Sequence, residues 1–285
     1  MRENITLLDG AVGTCLWQKA ERHGVEKKPV WTYNITHPEL VKGLTQDYLD
    51  AGSQIIMANT FGANGPAVKR SSKFDTAEVV RAGVRIGREV VGSKAKLGLD
   101  IGPLTAMLDP YGDMEEDECR EIFEEQIGAG MEEGPDCICL MTFMDVEMMR
   151  IAASVAKRYA VPVYCTMTFE KHGRTLMGNS VQDIVDALAP LGIDGIGVNC
   201  SQGPDLALPI IREFHEKTDL PLVFKPNAGR PIVAAEGGTA TYYDAATFVR
   251  DIAPALDFVS FIGGCCGSDP DYIRAIRAAL DNPAR

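Results

Sequence analysis

The feature that most constrains this chain is an alternation repeated eight times, a short apolar run followed by a stretch with apolar residues at helical spacing. The runs fall at 5–10, 54–59, 96–101, 137–141, 161–166, 195–199, 221–225 and 258–262. Periodic stretches cover 39–51, 76–91, 116–133, 146–159, 181–191, 206–216 and 245–256, and 271–280 closes the chain. Runs that are apolar almost throughout, rather than at alternate positions, suit strands covered on both faces. That requires a parallel sheet wrapped by helices. Eight such units in 285 residues fit a (β/α)8 TIM barrel of the α/β class. The rival is an open doubly wound sheet, but no Gly-x-Gly-x-x-Gly follows the first run. No Pro/Gly/Ser-rich linker interrupts the pattern, so residues 1–285 read as a single barrel domain.

In such a barrel the site belongs at the C-terminal ends of the strands, on the loops that follow them. The longest irregular stretches, 18–38, 61–73 and 229–242, all follow a strand and are placed on that face. The cysteines point the same way. Eight cysteines in a chain this long do not form the disulfide framework of a short secreted domain, so they are core residues, metal ligands or nucleophiles. Cys200 follows the sixth run, and Cys265 and Cys266 follow the eighth, inside Gly-Gly-Cys-Cys-Gly. Strand ends six and eight lie close together in a barrel, so three thiols separated by 65 residues of sequence can converge. Three thiolates with a fourth position open for substrate suit a catalytic zinc ion, which deprotonates a fourth sulfur ligand and favours alkyl transfer to sulfur. On spacing alone two other readings stay open: a packed Cys-Cys pair, and a Gly-Gly phosphate-binding loop. Cys15, Cys119, Cys137, Cys139 and Cys165 read as buried filler.

Charge and hydropathy narrow the partners. With 28 basic against 40 acidic side chains, the net charge of −12 argues against nucleic acid or an anionic membrane surface. No apolar run approaches the ~18 residues of a membrane span, and the start has no secretory h-region, so a cytoplasmic location is expected.

Several motifs in order resemble the homocysteine S-methyltransferase family. They are Leu8-Asp9-Gly10-Ala11-Val12-Gly13-Thr14, Ala58-Asn59-Thr60-Phe61-Gly62-Ala63-Asn64, Gly197-Val198-Asn199-Cys200, Pro226-Asn227-Ala228-Gly229-Arg230-Pro231 and Gly263-Gly264-Cys265-Cys266-Gly267. The Pro-Asn-Ala-Gly stretch is most similar to the homocysteine-binding module of cobalamin-dependent methionine synthases; betaine–homocysteine methyltransferases belong to the same family. The resemblance implies a zinc-dependent S-methyltransferase of a thiol, by default homocysteine, with one zinc on Cys200, Cys265 and Cys266. It also implies amino-acid binding by Asp9 and Gly10, and cavity-lining roles for Asn199, Asn227 and Thr60.

One position departs from the family. Its glutamate near the end of strand four, which holds the substrate amino group, is matched here by Met141. A thioether cannot pair with an ammonium. Either Asp145, Glu147 or Glu170 substitutes, or the acceptor is a different thiol facing the methionine-rich patch Met141, Met144, Met148 and Met149, of which 148 and 149 read as core packing. The histidines, His23, His37, His172 and His215, fall outside an Asp-x-His-x-x-Gly cobalamin-ligating pattern, and 285 residues leave no length for a corrinoid or folate domain. The methyl donor is therefore expected to be a small sulfonium or betaine-like molecule, or methylcobalamin on a separate corrinoid protein. Two further readings remain at this stage: a Schiff-base aldolase using Lys225, and a non-catalytic zinc- or thiol-binding subunit.

Overall fold

Strand order closes the question of architecture. A computed structural model describes residues 4–201, 203–229 and 243–282. Its strands are β1 (Thr6–Leu7), β2 (Ile55–Met57), β3 (Lys96–Ile101), β4 (Cys137–Phe143), β5 (Val163–Met167), β6 (Gly195–Asn199), β7 (Leu222–Lys225) and β8 (Phe261–Ile262). Each pairs in parallel with the next from β2 to β8, and β8 pairs with β1. The seam between β1 and β2 is closed by a parallel bridge, Leu8 to Ile55, and by the Gln54 amide donating to Leu7 O at 2.7 Å. The result is a (β/α)8 barrel, as the eightfold alternation requires.

Helices form the outer ring. In chain order they are α1 (Gly13–Arg22), α2 (Tyr33–Thr36), α3 (Pro38–Asp50), α4 (Gly65–Ser71), α5 (Thr76–Val91), α6 (Glu116–Met131), α7 (Val146–Ala156), α8 (Val181–Leu188), α9 (Pro204–Lys217), α10 (Ala245–Ile252) and α11 (Pro270–Asp281). Side-chain caps set many of their starts: Asp75 accepts from the Glu78 amide, Ser180 and Asp183 form a reciprocal capping box, and Asp244 accepts from the Thr247 amide. Two stretches expected to be irregular carry helix. Segment 18–38 contains the end of α1 and all of α2, and 61–73 contains α4, which Asn64 caps and Pro66 helps start. These helices are too short to show a helical period against their flanks. Of the third stretch, 229–242, residues 230–242 lie outside the described residues.

Strand alternation sorts the core into two layers. Leu8, Ile55, Met57, Cys137, Cys139, Met141 and Val223 fill the barrel interior with Tyr164 and Phe261 against them. Alternate strand residues such as Leu97, Leu99, Ile138, Leu140 and Phe224 face outward into the larger layer under the helices. The five cysteines read as filler are all buried, Cys137 and Cys139 side by side in the interior with sulfurs 3.9 Å apart. Met148 and Met149 lie in the helix-facing core, as expected, whereas Met144 is exposed.

Candidate metal centre

The cysteines brought together are the three at strand ends. Cys200, Cys265 and Cys266 offer sulfurs that all lie within 4.8 Å of one another, Cys200 to Cys266 at 3.4 Å. Tetrahedral coordination at a metal–sulfur length of about 2.3 Å places neighbouring sulfurs about 3.8 Å apart, so the trio needs at most about 1 Å of adjustment to share one ion. Each cysteine is partly exposed, leaving a side of the cluster open, unlike the five buried thiols.

Backbone beyond β7 holds the two cysteine loops together. The Cys200 amide donates to Lys225 O at 3.2 Å and the Cys265 amide to Pro226 O at 2.8 Å, while Cys266 O accepts from the Ala228 amide at 2.9 Å. Asn227 adds its Nδ2, 3.3 Å from Cys200 O, and its Oδ1 is buried without a partner among the described residues. Cys200 sits at φ +52°, a left-handed conformation that costs a non-glycine residue free energy and persists only where surrounding contacts enforce it. Thr142, at the end of β4, has φ +66°. Asn199 ties the two strained positions together: its Oδ1 accepts from the Thr142 amide at 2.8 Å and Thr166 Oγ1 at 2.7 Å. Its Nδ2 donates to Thr142 Oγ1 at 2.7 Å and lies 3.9 Å from Cys265 Sγ. Asn199 therefore reaches the cluster itself.

The trio is primed for negative charge. Hydrogen bonds from Cys200 and Cys265 pull the Cys266 thiol down to about 3, while hydrogen bonding to Cys265 and Cys266, with burial, pushes Cys200 far up. Cys266 is thus the readiest of the three to ionise, and a cation held by the trio would deprotonate the others.

Below the sulfurs the barrel mouth has a charged floor. Asp9 is fully buried, with Oδ1 2.5 Å from Lys225 Nζ and Oδ2 accepting from the Met57 amide at 2.8 Å. Burial pushes the Lys225 ammonium down, but the charge and hydrogen bond of Asp9 outweigh it and hold it above its ordinary value. A Schiff-base lysine needs the opposite shift, so the geometry disfavours the aldolase reading. Gly10 is where the β1 loop meets the cysteine loop: a Cβ there would lie 2.4 Å from Ser268 O. Thr60 is fully buried; its Oγ1 donates to Asp100 O at 2.7 Å and accepts from the Asp100 amide at 3.1 Å. Met141 is buried, its Sδ accepting from Thr166 Oγ1 at 2.9 Å, one hydroxyl away from Asn199.

None of the three acids considered as replacements at Met141 is free at the floor. Asp145 caps α7 through the Glu147 amide, Glu147 pairs with Arg150, and Glu170 is exposed. Sequence reasoning missed Thr142, Thr166, Asp100 and the Asp9–Lys225 pair. Their signal was strand parity, since Asp100 and Lys225 stand two positions beyond Gly98 and Val223 on strands whose inward set is fixed.

Fold and site first define a class: a (β/α)8 barrel with a metal-competent trio of thiols at its C-terminal face, where barrel enzymes carry their chemistry. Comparison makes it particular. The family model for homocysteine S-methyltransferases matches residues 6–280. Methionine synthase of Mycobacterium tuberculosis is 30% identical over 88% of the chain, and that of Mycobacterium leprae 29% over 98%. The chain spans 22% and 24% of those two relatives. Among solved structures, the metallated form of the homocysteine methyltransferase MmuM from Escherichia coli superimposes with a TM-score of 0.79 at 21% identity, over 96% of each chain. The chain belongs to the homocysteine S-methyltransferase family.

Proposed function

We propose that this protein is a thiol S-methyltransferase with one zinc ion held by Cys200, Cys265 and Cys266, homocysteine as acceptor and methionine as product. What carries the reading is the convergence of three partly exposed sulfurs within 4.8 Å at the end of a family barrel. Their all-sulfur chemistry suits zinc, and the name of the metallated relative supports a metal at this fold. When bound, zinc supplies the charge that strips the proton from a coordinated thiol near neutral pH and keeps its sulfur nucleophilic.

The chain's own residues prepare the rest. Asn199, fixed by Thr142 and Thr166, orients Cys265 from outside the ligand set, the kind of support that tunes a metal centre. Gly10 and Asn227 hold the loops that border the sulfurs, and Asp9 with Lys225 forms a rigid floor. The acceptor sulfur donates its electron pair to the methyl carbon while the bond from methyl to donor breaks, and holding the two in line supplies much of the rate.

A specific observation favours a macromolecular donor over a small one. Phe61, Met107, Tyr111, Met144 and Leu176, the large hydrophobics exposed among the described residues, each between 36% and 70% exposed, all lie in the loops that follow β2, β3, β4 and β5. Exposed apolar groups confined to one rim of a mouth suit a docking protein, here a separate methylcobalamin carrier. Residues 1–285 then act as one barrel module, in the cytoplasm.

The test is metal analysis and methyl transfer with purified protein. We expect one zinc per chain, lost in Cys266→Ala, and methionine formed from homocysteine with a methyl-corrinoid protein. Phe61→Ser with Leu176→Ser should slow transfer from that protein and leave transfer from free methylcobalamin unchanged. A protein holding one zinc that forms no methylated thiol with corrinoid, sulfonium or betaine donors is a binding subunit instead.

A further inference from the structure

Homocysteine brings an ammonium group as well as a thiol. With its sulfur at the cysteine cluster, the ammonium comes to rest in the barrel mouth, where a charge removed from water needs a carboxylate partner. The charge of Asp9 is already paired with Lys225, and its other oxygen accepts from the Met57 amide. Asp145, Glu147 and Glu170 are capping, paired and exposed respectively.

Asp100 is different. On β3 a Cβ at Gly98 would meet the sulfurs of Met57, Cys139 and Cys137 in the barrel interior, while Leu97 and Leu99 press outward on Gly87 and Gly130. The period of two then aims Asp100 inward, one layer nearer the mouth than Gly98. The charges that act on it are those of Lys225, Asp9 and Cys265, which places it in the same barrel mouth as the sulfur cluster. Its carboxyl group is buried, and among the described residues Oδ1 has no hydrogen-bond partner. The Thr60 hydroxyl bonds both the carbonyl and the amide of Asp100, which fixes the backbone that carries the side chain. A buried acceptor left without a donor marks the place of a ligand's donor.

We propose that Asp100 is the residue that receives the ammonium of the acceptor, so that the site selects α-amino thiols even though Met141 is uncharged. The proposal rests on the reading above that the cysteine cluster takes the acceptor sulfur. It assigns the amine contact to β3, with no contribution from the side chain at Met141.

Calorimetric titration of the zinc-loaded protein tests it with two probes, L-homocysteine and 4-mercaptobutanoate, which is the same molecule without its amine. The wild type should bind homocysteine at least 10-fold more tightly. Asp100→Asn should weaken homocysteine at least 100-fold, change 4-mercaptobutanoate less than 3-fold and keep its zinc. Asp100→Ser serves as a second variant should the first not fold. Equal loss of both ligands, or homocysteine binding untouched by the substitution, overturns the proposal. Tighter binding of 4-mercaptobutanoate by the wild type overturns it while leaving the sulfur site standing. No binding of either thiol by protein holding one zinc overturns both.

Discussion

Asp100 leads to a stability prediction that needs no ligand. Burial, opposed by Lys225, pushes its carboxyl from 3.8 up to about 8. Without a ligand's ammonium beside it, the folded protein therefore holds this proton more tightly than the unfolded chain does. Below pH 3.8 both states are protonated and the residue contributes no pH dependence. Between there and about 8 the unfolded chain is ionised while the folded one keeps its proton, so stability falls by about 1.4 kcal/mol for each pH unit. Above that range the loss is complete. At pH 7 the accumulated cost is about 4 kcal/mol. Asparagine has nearly the same shape and does not titrate. Asp100→Asn should match the wild type in stability near pH 4 and exceed it by about 4 kcal/mol at pH 7. Urea unfolding of the metal-free proteins at several values between pH 4 and 8 reads this difference directly. A difference that stays constant across that range would mean the carboxylate is ionised in the folded barrel at its ordinary value, and the reasoning about its burial would be refuted.

Two other perturbations act on the same floor. Lys225→Met leaves Asp9 charged, buried and unpaired, and should cost about 3–5 kcal/mol in denaturant titration, whereas borohydride treatment of the wild type with carbonyl compounds should trap no adduct at Lys225. Asn199→Ala strips partners from the Thr142 amide and the hydroxyls of Thr142 and Thr166, so it should cost about 3 kcal/mol and weaken metal binding about 10–100-fold in chelator competition.

Much of the site could be read along the chain because its residues stand at strand ends, where a barrel gathers them whatever their distance in sequence. Cys200 and the Cys265–Cys266 pair were legible for that reason, and the structure brings their sulfurs together. Thr60 shows the limit. Its motif marked it as a cavity residue, yet its hydroxyl is spent on the backbone of Asp100, and only the packing of the β2 loop under β3 reveals this. Likewise Met141 stood out as a substitution, but which acid could serve in its place depends on partners that no spacing reports. Asp145 and Glu147 lay near it in sequence and turned outward; Asp100, 41 residues away, turned in.

What the sequence determined by itself was the barrel and the identity of the thiols. Strands apolar on both faces leave a parallel, helix-covered sheet as the way to bury them, and eight units close it. What only the tertiary structure decided was how the polar groups of the mouth are allotted. Asp9 pairs with Lys225 across 216 residues, Asn199 spans the ends of β4 and β6, and Asp100 keeps an oxygen that none of the described residues claims. The reason is physical. Hydrophobic burial is non-directional and can be read as a pattern, whereas a buried charge is governed by whichever partner lies within about 3 Å, and chain closure alone sets that distance.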